Sequence, residues 1–297
     1  GGYVNAPGIR AAGGSNGKAS YIQSGGTVYL RGNNASAGLE SEPIFSFKQA
    51  DQIFSMSGGF LEIVDGNSGD VFNVGVREGN YKATGGTVRI IKDGDLTHGD
   101  DYGFTSTAPV YNLELIGRNG GGSFTVDAGS SIEVFNNLVI DTSATLQMSN
   151  SQQMSDYNLT VGGDFTLHNG GTYLHGANST TFNGEDHSEL IVEDPASEPA
   201  LSFAALKIDK ENQTNELTFI SSGRSDGSHI ATIDSTLNLN KGVLDYNSYN
   251  LHMQGDTIIN KGTLGKADAS GRLILNSASG QQLLINSPLG DPTYGHL

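Results

Sequence analysis

The chain has 297 residues, with 32 Asp and Glu against 16 Lys and Arg, and it contains neither Cys nor Trp. A net charge of −16 opposes binding to phosphate backbones and anionic lipid; the lack of Cys removes disulfides, thiolate nucleophiles and Cys-based zinc sites. No apolar run approaches the roughly 20 residues that would insert across a membrane as a helix. Gly, Ser, Asn and Thr supply 119 residues, so the surface is built from small polar groups, while 71 Leu, Ile, Val and Phe are enough for a folded core.

In chain order, Gly1-Gly2-Tyr3-Val4-Asn5 shows no initiator Met and no signal peptide, as expected of a piece excised from a longer protein. Three segments then share one pattern: Ile22 to Val28, Phe54 to Leu61 and Tyr81 to Val88, each with a central Gly pair (Gly25-Gly26, Gly58-Gly59, Gly85-Gly86). The pairs lie 33 and 27 residues apart. Residues 33–50 and 93–109 interrupt the pattern and read as insertions. An Asn-Leu motif follows at Tyr111-Asn112-Leu113, Asn136-Asn137-Leu138, Tyr157-Asn158-Leu159 and Tyr249-Asn250-Leu251. A third motif recurs as Asn169-Gly170-Gly171-Thr172 and Asn260-Lys261-Gly262-Thr263. Between them stand short alternating runs such as Leu217-Thr218-Phe219-Ile220 and Leu273-Ile274-Leu275. Each is three to five residues long and bounded by Gly, Asn, Asp or Ser, which is the signature of strands.

No stretch of helical periodicity competes, so the chain is all-β. Strands this short, with corners of Gly and Asn that tolerate left-handed backbone, predict a β-solenoid of the parallel β-helix kind. The alternative is a tandem antiparallel β-sandwich, which would place longer strands every 8–12 residues or so. At roughly 20–27 residues per rung the solenoid would have about 11–15 rungs and a length of about 50–70 Å. Residues 1–194 read as solenoid repeats carrying the two insertions, 195–200 as a seam, and 201–297 as continuing repeats.

The stretches Phe54 to Gly59, Phe72-Asn73-Val74, Asn80 to Val88, Ala108 to Leu113 and Asn158 to Phe165 carry a resemblance. They resemble the β-strand-repeat regions of very large Bacteroidota cell-surface proteins, including gliding-motility adhesins. The resemblance implies an extracellular, surface-displayed segment exported by type IX secretion machinery, which sticks to a surface, to glycans or to other cells. It also implies a modification signal, Asp-Ser/Thr followed by an aliphatic residue or Thr, matched at Asp256-Thr257-Ile258 and Asp234-Ser235-Thr236. Thr257 and Ser235 are therefore candidate O-glycosylation positions.

Chemistry-bearing residues are sparse. Asp93, Asp95, Asp100 and Asp101 place four carboxylates within nine residues, the type of oxygen set calcium takes. Asp65 and Asp70 form a smaller set, and neither matches an EF-hand or nonapeptide loop. Calcium is the one cofactor suggested. The seven His are scattered without metal-ligand spacing, and no G-x-S-x-G occurs. The expected function is structural and adhesive, without catalysis, with a surface or glycan as partner and no nucleic acid or membrane insertion. The rival is a polysaccharide-degrading β-helix enzyme, a lyase or glycosidase, which would need paired carboxylates or a calcium beside a basic residue.

Overall fold

The computed structural model describes residues 2–11, 18–31, 43–65, 69–94, 100–118, 120, 122–150, 155–193, 201–222, 229–265, 271–276 and 282–285. The chain is an all-β solenoid built from three long sheets. An eleven-stranded sheet runs from Tyr3–Ala6 to Thr263–Leu264 and forms the long face. A seven-stranded sheet, from Ile9–Arg10 to Thr172–Leu174, forms the second face, and a nine-stranded sheet, from Ile132–Val134 to Leu273–Leu275, forms the third. Neighbouring strands in these sheets are parallel, which removes the sandwich alternative. The described exception is a small antiparallel pair, Ser149–Asn150 with Ser155–Asp156.

Rung length is legible in the register. Thr27 pairs with Phe60, Phe60 with Thr87, and Leu138 with Phe165, while Leu244 pairs with Leu264, so equivalent positions recur every 20 to 33 residues. Eleven strands on the long face give a stack of about 50 Å at the usual spacing of about 4.8 Å. The stack continues across the predicted seam, since Ser179–Phe182 pairs with Leu201–Asp209 and Ser188–Glu193 with Glu216–Ser222. Residues 195–200 themselves lie outside the described residues, as do 33–42 and 95–99 of the two insertions.

The Gly pairs are corners. Ser20–Arg31, Ile53–Val64 and Tyr81–Asp93 each bend in mid-strand, and their register slips by one residue at that bend and recovers beyond it. Gly59 turns there with φ of 85°, and a Cβ on it would strike the backbone of Gly25 and Gly26 one rung away. Only Gly combines that backbone angle with that approach. In the second half of the chain the mid-strand bend moves to another corner: Ile230–Lys241 pairs with Asn250–Met253 before its bend and with Thr257–Asn260 after it.

Inward positions stack like on like. Phe45, Phe72 and Phe104 are in register on the second face, with ring centroids 5.3 and 4.6 Å apart and nearly parallel planes. Leu113, Leu138, Phe165, Leu190 and Phe219 form the matching buried column on the long face. Burial of such columns is the main favourable contribution to folding, at about 25 cal/mol per Å² of apolar surface.

Candidate functional site

One open groove, about 920 Å³ in volume, follows the corner between the third face and the long face. The corner segments 135–137, 162–164, 183–187 and 209–211 line it on successive rungs, with Tyr111 at one end. Its floor is glycine. A Cβ on Gly162 would strike the Phe135 carbonyl oxygen, one on Gly163 would lie 2.5 Å from Asn137 Oδ1, and one on Gly184 would strike the Gly162 carbonyl. The stacked backbones leave no room for side chains there, so bare backbone lines the groove.

A ladder of side-chain amides and carboxylates pins this corner. Asn112 Oδ1 accepts from the Asn137 backbone N–H (3.1 Å) and from Asn136 Nδ2 (2.9 Å). Asn137 Oδ1 accepts from the Asp164 N–H (3.0 Å), and Asp164 Oδ1 from the Glu189 N–H (2.9 Å). Each rung thus satisfies a backbone donor of the next, which a buried or half-buried N–H requires.

The walls are acidic. Glu133, Asp164, Glu185, Asp186, Asp209 and Glu211 line the groove with His187. Burial pushes the Glu133 carboxyl above its ordinary range. Burial also acts to raise Asp209, but hydrogen bonds from Lys207 and Asn240, with the charges of Lys207 and Lys241, leave it below the usual value. Beneath the groove lies Lys210, 1% exposed, donating from Nζ to Ser188 Oγ. Burial pushes its pKa down to about 8, against the opposing charges of Asp164 and Asp186. Phe135 supplies the aromatic surface and is 44% exposed.

Divergent carboxylates such as Glu133 and Asp209 are the arrangement in which acid and base roles are sought. Here Glu133 stacks through Thr160 and Thr181 to Lys207, so it stands three rungs, about 14 Å or more, from Asp209. Glycosidase carboxylates are separated by about 5–10 Å. That pair cannot flank one glycosidic bond. The inaccessible Lys210 cannot reach a substrate in the groove either.

The residues singled out from the sequence lie elsewhere. Asp93 ends the strand Tyr81–Asp93, and its N–H donates to Asp65 Oδ1 at 2.7 Å, so the two acidic segments are stacked on adjacent rungs. Arg31 lies 3.7 Å from buried Asp65, and Lys92 lies 3.1 Å from Asp100, placing cations that sequence adjacency did not bring beside these carboxylates. Asp101 opens the strand Asp101–Ser106 and is exposed, whereas Asp95 lies outside the described residues. Among the described residues, no group of three His, Asp or Glu is placed to hold a metal ion. Ser235 is exposed at the bend of Ile230–Lys241, and Thr257, half-buried, opens the strand one rung on, so both candidate modification positions share one corner.

Sequence reasoning missed the groove. The available signal was the alignment of Phe135-Asn136-Asn137 with Gly162-Gly163-Asp164 and with Asn183-Gly184-Glu185-Asp186. No known protein family, curated protein or solved structure matches the chain.

Proposed function

We propose that this chain is a structural and adhesive segment of a large secreted bacterial cell-surface protein, of the gliding-adhesin kind its repeats resemble. It would act as a rigid stalk that contacts surfaces or glycans without catalysis. The observation that supports this reading most is the continuous parallel stack of eleven strands on one face, with a lateral groove open to solvent along it. A column in which each interior strand is hydrogen-bonded on both sides resists bending and local opening. Glu133 and Asp209, three rungs apart, are too widely separated to act together as the carboxylate pair of a polysaccharide hydrolase.

Beads coated with the purified protein, presented to polysaccharide-coated surfaces under flow, test the proposal. Retention without release of reducing ends or unsaturated sugars is the expected result. Product release would replace the adhesive reading with an enzymatic one, and beads that wash off every surface would reduce the segment to a spacer.

A further inference from the structure

We propose that the rod is jointed. The boundary between the rung that ends in Thr172–Leu174 and the next rung is a hinge, at which the second face opens while the other two faces stay paired. The inference stands on strand register and is independent of what the segment adheres to.

The ladder of the second face runs unbroken from Ile9–Arg10 to Thr172–Leu174. One rung on, residues 201–203 take the same place around the column, since the later part of Leu201–Asp209 pairs with Ser179–Phe182 on the third face. Leu201, Ser202 and Phe203 pair forward with Ala231, Thr232 and Ile233. Among the described residues, no strand pairing joins them back to Thr172–Leu174.

The cause is a change of corner. Before the boundary, a turn at residues 175–178 separates the second face from the third. Beyond it, one strand bends through that corner, as Leu201–Asp209 and again as Ile230–Lys241. Backbones that take a corner differently do not keep the even spacing of a parallel ladder. Inward residues of this face donate forward, as Phe124 does to Ser143, so Tyr173 turns its N–H into the joint.

Three residue pairs on the third face and three on the long face span the boundary. The preceding boundary is laddered on all three faces, and so is the following one. The third face is also interrupted, between residues 81–83 and Val110, but seven pairs on the long face and four on the second face span that level and keep it stiff.

Side chains hold the joint shut. The hydroxyl of buried Tyr173 shares a hydrogen bond of 2.6 Å with Thr180 Oγ1 of the next rung, and its ring centroid lies 6.2 Å from that of Phe203. His175 Nε2 reaches Asp234 Oδ2, at the bend of Ile230–Lys241, at 3.4 Å. Half-exposed ion pairs of this kind add little, and a level with fewer backbone bonds opens before its neighbours.

Nitroxide labelling of the intact chain, which has no Cys of its own, tests the hinge. Asp101, Thr125, Thr145 and Thr172 stack in one outward column, so Asp101→Cys with Thr172→Cys spans three rung steps before the joint. Thr145→Cys with Thr232→Cys spans three steps across it. Double electron–electron resonance should give a distance distribution about twofold broader, or more, for the crossing pair. Equal widths would overturn the proposal. Amide exchange of the unsubstituted protein is the second measurement, and it needs no variant to fold. The Tyr173 N–H should exchange at least about tenfold faster than that of Leu146, its register partner one rung earlier. Equal protection of the two would also overturn the hinge.

Discussion

Gly59 and Gly79 share nearly the same left-handed backbone, with φ of 85° and 86°, but differ in what surrounds them. A Cβ on Gly79 meets nothing within 4 Å, whereas one on Gly59 runs into the neighbouring rung. Gly79→Ala should therefore cost only the backbone term, about 1 kcal/mol, and Gly59→Ala about 3 kcal/mol or more. Chemical denaturation of the two variants measures the difference, and equal costs would mean that the rungs do not touch at this corner. Lys210 offers a second residue-scale prediction. Its folded pKa of about 8 lies below the ordinary lysine value, so the unfolded chain holds the extra proton between about pH 8 and 10. Stability should rise with pH through that window, by up to about 3 kcal/mol from this group, and the charge penalty should be fully present below pH 8. The buried Tyr21, Tyr102 and Tyr173, all raised by burial, oppose the trend once unfolded tyrosine begins to ionise near pH 10. Replacing Lys210 with Met and Ser188 with Ala together removes the buried charge and its partner. That variant should melt higher near neutral pH and lose the rise above pH 8.

Strands and corners give predictions of a different kind. The Asn112–Asn137–Asp164 ladder supplies acceptors to backbone donors at three successive corners. Asn137→Ala should cost about 1–2 kcal/mol by orphaning the Asp164 N–H, and Asn137→Asp, which keeps the acceptor, should restore most of it in a thermal melt. Much of this was legible. The spacing of the Gly pairs, 33 and 27 residues, equals the register from Thr27 to Phe60 and from Phe60 to Thr87, because a corner that excludes Cβ atoms must fall at the same place on each rung. The Asn-Leu motif was a poorer guide. Leu113 and Leu138 do stack on the long face, but Leu159 starts a strand on the third face and pairs with Ile132. The motif marks a corner leading into any strand, and its local hydrogen-bonding logic carries no information about which face comes next. The groove was hidden for a related reason: its floor consists of glycines whose neighbours are a rung away, and its emptiness belongs to no single segment. The same holds for Arg31 beside Asp65, which meet only after the chain has coiled.

At the scale of the whole molecule, contacts join near neighbours in the stack, so stability is a sum over rungs and their interfaces. Phe72→Ala removes the middle ring of the Phe45–Phe72–Phe104 column and should cost about 3–5 kcal/mol locally. Amide exchange should then quicken in Phe45–Phe47 and Asp101–Ser106, while Glu216–Ser222 and Val243–Asp245, several rungs away, keep their protection. Uniform loss of protection along the chain would show a single cooperative unit and contradict this additive picture.

The parallel register has an evolutionary corollary. Because the segment from Leu138 to Asp164 begins and ends at matched positions on the long face, removing it would splice one corner onto its own equivalent, and copying it would extend the column by one coil. Length in such a molecule is a quantised variable, adjustable by recombination in whole steps without redesigning an interior. A lineage can therefore tune how far its tip reaches from its origin by counting coils.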